Sequence, residues 1–144
     1  MLEITGDLWN FHAKGHWIVI PTNGVVNQEG RAVMGKGVAK EAAIRMPGLA
    51  DTLGLRLEQG GNRVYAMDEL HLFTFPTKDH WREKSRPALI DGSARELVWQ
   101  VGRWRVAGPI YLPRVGCGAG GLEWAEVKPV LAKALNDRFV VVSL

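Results

Sequence analysis

Cysteine is nearly absent from these 144 residues: Cys117 stands alone, so no disulfide can form within the chain. A lone cysteine suits a reducing compartment, and the expectation is a cytoplasmic protein. No apolar run approaches the ~18 residues that a membrane-spanning helix needs. Met1 to Thr5 carries no basic stretch leading into an apolar one, so no signal peptide and no membrane partner are expected. Internal repeats, low-complexity tracts and linker-like composition are missing as well. Residues 1–144 are therefore expected to form one domain. His12, His16 and His71 lack metal-ligand spacing with one another or with Cys117, so no metal site is read. Gly35-Lys36-Gly37 lacks the earlier glycine and the Lys-Ser/Thr ending of a P-loop, and no dinucleotide G-x-G-x-x-G is convincing. No cofactor is expected.

What is present is a core. With 47% hydrophobic residues the chain is globular, and a domain of this size buries roughly two thirds of its unfolded surface. Leu2 to Thr5 reads as a strand, and Trp17 to Ile20 as a buried one stopped by Pro21. A glycine-bearing loop runs from Thr22 to Gly35. Helices are predicted from Gly37 to Arg45, ended by Met46-Pro47, and from Gly48 to Leu57. Arg63 to Met67 and His71 to Phe75 read as strands. Ser85 is the expected N-cap of a helix from Arg86 to Trp104, whose Ile90, Ala94, Leu97, Val101 and Trp104 form one apolar face. A strand from Ile110 to Leu112, a helix from Trp124 to Leu135 and a strand from Phe139 to Val142 complete the pattern. Strands alternating with helices imply an α/β fold, a mostly mixed sheet covered by helices on both faces. The tryptophans read mostly as core; Trp81 alone is placed to stack on a base.

Net charge is +3, and the excess is uneven. Met1 to Gly60 balances six Lys/Arg with six Asp/Glu, whereas Gly61 to Leu144 holds twelve against nine. Cations between Lys78 and Arg105 suit a polyanion such as nucleic acid, or a solvated basic surface equally well.

Two glycine clusters lie between a strand and a helix. One is Val33-Met34-Gly35-Lys36-Gly37-Val38-Ala39; the other is Val115-Gly116-Cys117-Gly118-Ala119-Gly120-Gly121. Glycines at these spacings let backbone N–H groups approach an anion, and helix N-termini add partial positive charge. Either loop alone is equally compatible with a tight turn. The pair on one sheet points to a pyrophosphate held at the carboxyl ends of the strands.

With Thr5-Gly6-Asp7-Leu8 beside the first strand, Pro21-Thr22-Asn23-Gly24 before the first loop, and Leu112-Pro113-Arg114 leading into the second, the chain resembles a macro domain over nearly its whole length. Phe75-Pro76-Thr77-Lys78-Asp79-His80-Trp81-Arg82 with Ser85-Arg86 is similar to the branch holding the DarG antitoxin and the terminal ADP-ribose protein glycohydrolase. The resemblance implies a three-layer αβα sandwich that binds ADP-ribose, with Asp7 and Leu8 at the adenine. It implies Met34, Gly35, Lys36, Gly37, Val38, Val115, Gly116, Cys117, Gly118, Ala119 and Gly120 around the ribose and diphosphate. Lys78 is then the catalytic group, and Asn23 orients the distal ribose, a turn before Gly24 being the competing reading of that asparagine.

The chemistry fits a lysine. The anomeric carbon of the distal ribose can open to an aldehyde-like species that an amine traps as a Schiff base. The amine must lose its proton below the usual value near 10.4, and Lys36 and Arg82 are the candidate neighbours that would favour this. His80 is a candidate proton relay; a packed or surface residue beside Trp81 is the reading its sequence position favours. Cys117 is a small loop residue rather than a nucleophile.

Ile20 stands where macro domains commonly have an asparagine, and Val26 to Arg31 are extra residues expected to reshape the distal ribose pocket. Gly120 replaces the second-loop aspartate of the terminal ADP-ribose glycohydrolase, as in DarG, which makes a protein-glutamate substrate less expected. The resemblance thus implies an ADP-ribosyl hydrolase acting on ADP-ribosylated, single-stranded DNA and functionally paired with an ADP-ribosyltransferase toxin. DarG's additional C-terminal region is missing from the match, so neutralisation by direct binding is not expected. A non-catalytic ADP-ribose-binding module, or a phosphatase or deacetylase of small ADP-ribose derivatives, is the alternative.

Overall fold

The computed structural model describes residues 1–144. Its elements run β1 (Leu2–Thr5), α1 (Leu8–Ala13), β2 (Trp17–Thr22), α2 (Gly37–Arg45), α3 (Leu49–Gly60), β3 (Ala66–Met67), β4 (Leu72–Pro76), α4 (Pro87–Arg103), β5 (Ile110–Leu112), α5 (Trp124–Ala132) and β6 (Phe139–Ser143). The six strands form one mixed sheet in the order β1-β6-β5-β2-β4-β3. Only β3 runs antiparallel to its neighbour.

Alternation along the strands builds two cores. Val19, Phe73, Phe75, Ile110, Leu112, Phe139 and Val141 face one layer with Ile90, Ala94 and Leu97 of α4 and Val127 and Leu131 of α5. Ile18, Ile20, Leu72 and Val142 face the other, with Leu8 and Trp9 of α1, Ala42 of α2, and Leu49, Leu53 and Leu57 of α3. A strand apolar on both faces can lie only between two helical layers, and burying each large side chain contributes about 1.5–3 kcal/mol. The αβα sandwich follows.

Four local expectations need correction. Pro21 does not stop β2, which continues through Thr22 against Phe75 and Pro76 of β4. Pairing with β5 covers only Trp17 and Ile18, so a missing N–H at Pro21 leaves no ladder bond to β5 unmade. The strand expected from Arg63 is only Ala66–Met67, because side chains take the upstream N–H groups: Glu96 that of Val64, Thr74 Oγ1 that of Tyr65 at 2.9 Å. Ser85 does not cap α4, whose N-cap position is Arg86; its hydroxyl instead bonds Thr77 Oγ1 at 3.1 Å. Nor are the tryptophans mostly core: Trp81, Trp99 and Trp104 are exposed, the last just beyond the apolar face of α4. Helix α1 had a readable signal, since Asp7 caps it by accepting Trp9 N–H at 2.9 Å.

The extra residues Val26 to Arg31 fold onto α3. Ala32 N–H bonds the Ala50 carbonyl at 2.8 Å, Arg31 pairs with Asp51 at 3.0 Å, and the Gly30 carbonyl rests where a side chain at Gly54 would stand. A Cβ at Gly54 would overlap that carbonyl oxygen. Gly54→Ala is therefore expected to cost about 1–3 kcal/mol. Scanning calorimetry should register it as a Tm lowered by several degrees; an unchanged Tm would mean the loop moves aside freely.

Candidate functional site

β2 lies between β4 and β5 in the sheet. The chain leaves β2 towards α2, in one helical layer, and leaves β5 towards α5, in the other. Neighbouring parallel strands whose chains depart to opposite faces open a crevice beyond their carboxyl ends. A cavity of about 510 Å³ occupies that crevice. A smaller one of about 230 Å³ shares Val38, Pro113 and Arg114 with it. The larger is within the size range of small-molecule sites.

Asn23, Met34, Gly35, Lys36, Gly37 and Val38 line the larger cavity from the β2–α2 side, and Gly116, Cys117, Gly118, Ala119 and Gly120 from the β5–α5 side. Lys78 lines it from the β4–α4 loop, as does Trp81. Asp7 and Leu8 line the smaller cavity. Val115 lines neither, being fully buried against the core. His80 lines neither: its Nδ1 accepts Arg82 N–H at 3.1 Å, and its ring stacks on Trp81 with centroids 5.3 Å apart. The extra segment Val26 to Arg31 contributes no wall to either cavity, though it leads directly into Val33 and Met34, which do line the larger one. Sequence reasoning missed Thr22, Thr77, Pro113 and Arg114 as lining residues. Their signal was the motif strings themselves, since each lies inside one of the segments that carry the family resemblance. Glu41 was also missed; it lines the smaller cavity and accepts the Trp9 indole N–H at 2.6 Å.

Lys78 is the chemically distinctive group. Its Nζ donates to the Trp81 carbonyl at 3.2 Å and to the Ala119 carbonyl at 3.5 Å, reaching from the β4–α4 loop to the second glycine loop. Burial, reinforced by the Lys36 ammonium and opposed by Glu83, lowers its pKa from the ordinary lysine value. Arg82 plays no part in that shift; its guanidinium lies over the Trp81 ring, 4.7 Å from the centroid. The Cys117 thiol is pushed the other way, upward, chiefly by burial, which leaves it a poor thiolate.

Asn23 is braced by the loop it begins. Its Nδ2 donates to the Val33 carbonyl at 3.0 Å and its Oδ1 accepts Val25 N–H at 2.9 Å. The glycines divide by cause. A Cβ at Gly120 would overlap the Ser85 hydroxyl, so packing alone explains that glycine. Gly35 has open space where its Cβ would be and no positive φ. Neither packing nor backbone demands glycine there, and the position opens onto the larger cavity. The arrangement joins a half-buried amine of lowered pKa to two open backbone loops, suited to an elongated anionic ligand with an electrophilic carbon at one end.

No family model matches the chain. A curated relative from Thermus aquaticus, named DNA ADP-ribosyl glycohydrolase, is 33% identical over 133 residues, covering 85% of this chain and 37% of that protein. The macrodomain of Thermus aquaticus DarG superposes with a TM-score of 0.80 at 31% identity, over 99% of this chain and 97% of that one. The macrodomain of Mycobacterium tuberculosis DarG gives 0.81 at 28% identity, again over 99% and 97%. The chain thus spans little more than a third of the curated relative's length.

The lowered pKa has a direct test. Only the neutral amine is nucleophilic, so reductive methylation of Lys78 should rise with pH through a lower midpoint than at the other lysines. Peptide mass spectrometry across a pH range of about 7 to 12 reads each site; a Lys78 midpoint at the ordinary lysine value would refute the environment described.

Proposed function

The chain belongs to the macrodomain family, in its DarG branch, and on that footing we propose that it hydrolyses the bond joining ADP-ribose to a DNA base. The observation that carries the reading is the Lys78 amine, its pKa lowered, bridging towards the second of two glycine loops across the larger cavity. ADP-ribose would lie along both cavities. The adenine would take the smaller one, with Asp7 and Leu8. The diphosphate would cross the shared wall against the N–H groups of Gly35 to Val38 and of Gly116 to Gly120, and the distal ribose would reach Asn23 and Lys78.

In this reading the neutral Lys78 amine donates its electron pair to the anomeric carbon. The bond from that carbon to the base nitrogen breaks, its pair staying with the base, which takes up the proton the lysine nitrogen releases. The nitrogen pair then expels the ring oxygen, which takes the amine's second proton, and the sugar opens to an imine. Water then adds to the imine carbon, and collapse of the adduct returns free ADP-ribose and the amine. Burial and Lys36 lower the pKa of the amine and so raise the share of its neutral form. A DNA leaving group is supported by the relative's name. The exposed Trp81 on the cavity wall, with Arg82 over its ring, offers it a contact.

Two measurements test this. Lys78→Ala should abolish release of ADP-ribose from a modified oligonucleotide yet keep ADP-ribose affinity within about tenfold, or ~1.4 kcal/mol, since backbone loops supply most of the binding. Lys78→Arg should be equally inactive, because a guanidinium keeps its proton. Near-normal turnover by either variant would remove the lysine mechanism. A wild-type protein that binds ADP-ribose but releases nothing would be a binding module instead. Separately, hydrolysis of a modified oligonucleotide should slow as salt rises and exceed that of a modified mononucleoside, through counterion release. Equal, salt-independent rates would mean that only the ADP-ribose is read.

A further inference from the structure

The turn between α3 and β3 builds no cavity wall, yet one of its side chains ties together the segments that do. Asn62 Nδ2 donates to the Lys78 carbonyl at 3.1 Å and to Asp79 Oδ1 at 2.9 Å. The Asp79 carbonyl accepts Gly24 N–H at 2.9 Å, beside Asn23. Asp79 Oδ2 pairs with Arg86 at 2.5 Å, at the start of α4. Gly24 is bare on the side that faces this amide: a Cβ there would stand 3.0 Å from Asn62 Cγ and 3.1 Å from its Nδ2. The amide is thus packed on the Asn23–Gly24 backbone while bonded to the Lys78–Asp79 backbone.

The brace sits where the sheet can no longer act. Pairing of β2 with β4 ends at Thr22 and Pro76, and Thr77 N–H makes one more bond, to the Thr22 carbonyl at 3.1 Å. Beyond it the chains separate, one into the glycine loop and one into the Lys78 loop. The Asn62 amide also carries a cost that simple packing does not require: its Oδ1 is buried without a hydrogen-bond partner. Turning the amide over would set that oxygen against the Lys78 carbonyl and the Asp79 carboxylate, so the two N–H bonds fix the orientation at the oxygen's expense.

We propose that Asn62 is a positioning residue, touching neither cavity, that sets the placement of Lys78 relative to Asn23 by holding the Lys78–Asp79 backbone against Gly24. Its consequence for turnover rests on the reading of Lys78 as the reacting amine; its consequence for the placement of that amine does not. Lys78 Nζ meets the Trp81 and Ala119 carbonyls and the fields of Lys36 and Glu83 only while its backbone stays where it is. A misplacement of about 1 Å in a reacting group costs on the order of a hundredfold in rate.

Two variants separate the role from general stability. Asn62→Leu keeps much of the volume and removes both N–H donors, whereas Gly24→Ala keeps the donors and displaces them by a few tenths of an ångström. The first readout needs no substrate: the pH midpoint of Lys78 methylation should move towards that of the other lysines in both variants. The second is single-turnover release of ADP-ribose from a modified oligonucleotide. That rate should fall roughly ten- to a hundredfold, with the Kd for ADP-ribose held within about threefold. An unmoved midpoint in variants that fold would overturn the proposal, as would a rate that falls only in step with affinity. If Asn62→Leu fails to fold, Gly24→Ala decides alone. A wild-type protein without turnover removes the glycohydrolase reading, and the methylation midpoints then still decide the role of Asn62.

Discussion

Everything distinctive about this molecule depends on one constraint: β2 has β4 on one side and β5 on the other, and the chain leaves β2 and β5 towards opposite helical layers. Parallel strands end at a common edge, so two loops departing to opposite faces must leave a gap between them. The gap is lined by backbone because both departing loops are rich in glycine. Its third side is closed by the β4–α4 loop, brought there because β4 pairs with β2 from Ile18 through Thr22. The sheet therefore delivers three segments, far apart in sequence, to one cavity.

Within that cavity the electrostatics follow from burial. A lysine in open water keeps its proton well above neutrality. Lys78 lies on a wall where desolvation penalises its charge and Lys36 adds repulsion, so the charged form is disfavoured. The carbonyls of Trp81 and Ala119 orient the amine at 3.2 and 3.5 Å. Cys117, on the same wall, shows the rule with the opposite sign: burial disfavours its thiolate, so the pKa rises. One environment thus favours the reactive form of the amine and suppresses that of the thiol.

Support behind the lining matters as much as the lining. Ser85, expected at a helix start, bonds Thr77 and leaves no room for a side chain at Gly120; its N–H reaches the Gly120 carbonyl at 2.8 Å. Arg114 borders both cavities with its guanidinium 5.2 Å from the centre of the Trp124 ring, and the Trp124 indole N–H bonds Glu3 at 2.8 Å. Glu3 in turn is held by Lys128, so the first strand and the last helix converge behind the site.

By itself the sequence determined the alternation of strands and helices, the glycine loops and the lysine between them, because these are local matters of hydrophobic period, turn chemistry and residue type. Helix α2 was legible to its ends for that reason, and the order of motifs carried the macrodomain resemblance. Tertiary structure alone decided what each residue faces. It buried Val115, and it folded Val26 to Arg31 onto α3. It let Pro21 remain in a strand, where β5 had already ended. It brought Asn62 against Gly24 and Lys78, residues 38 positions behind it and 16 ahead. Such contacts have no local signature, since two chains meeting in space share neither period nor spacing, and only the packed sheet brings them within a hydrogen bond's reach.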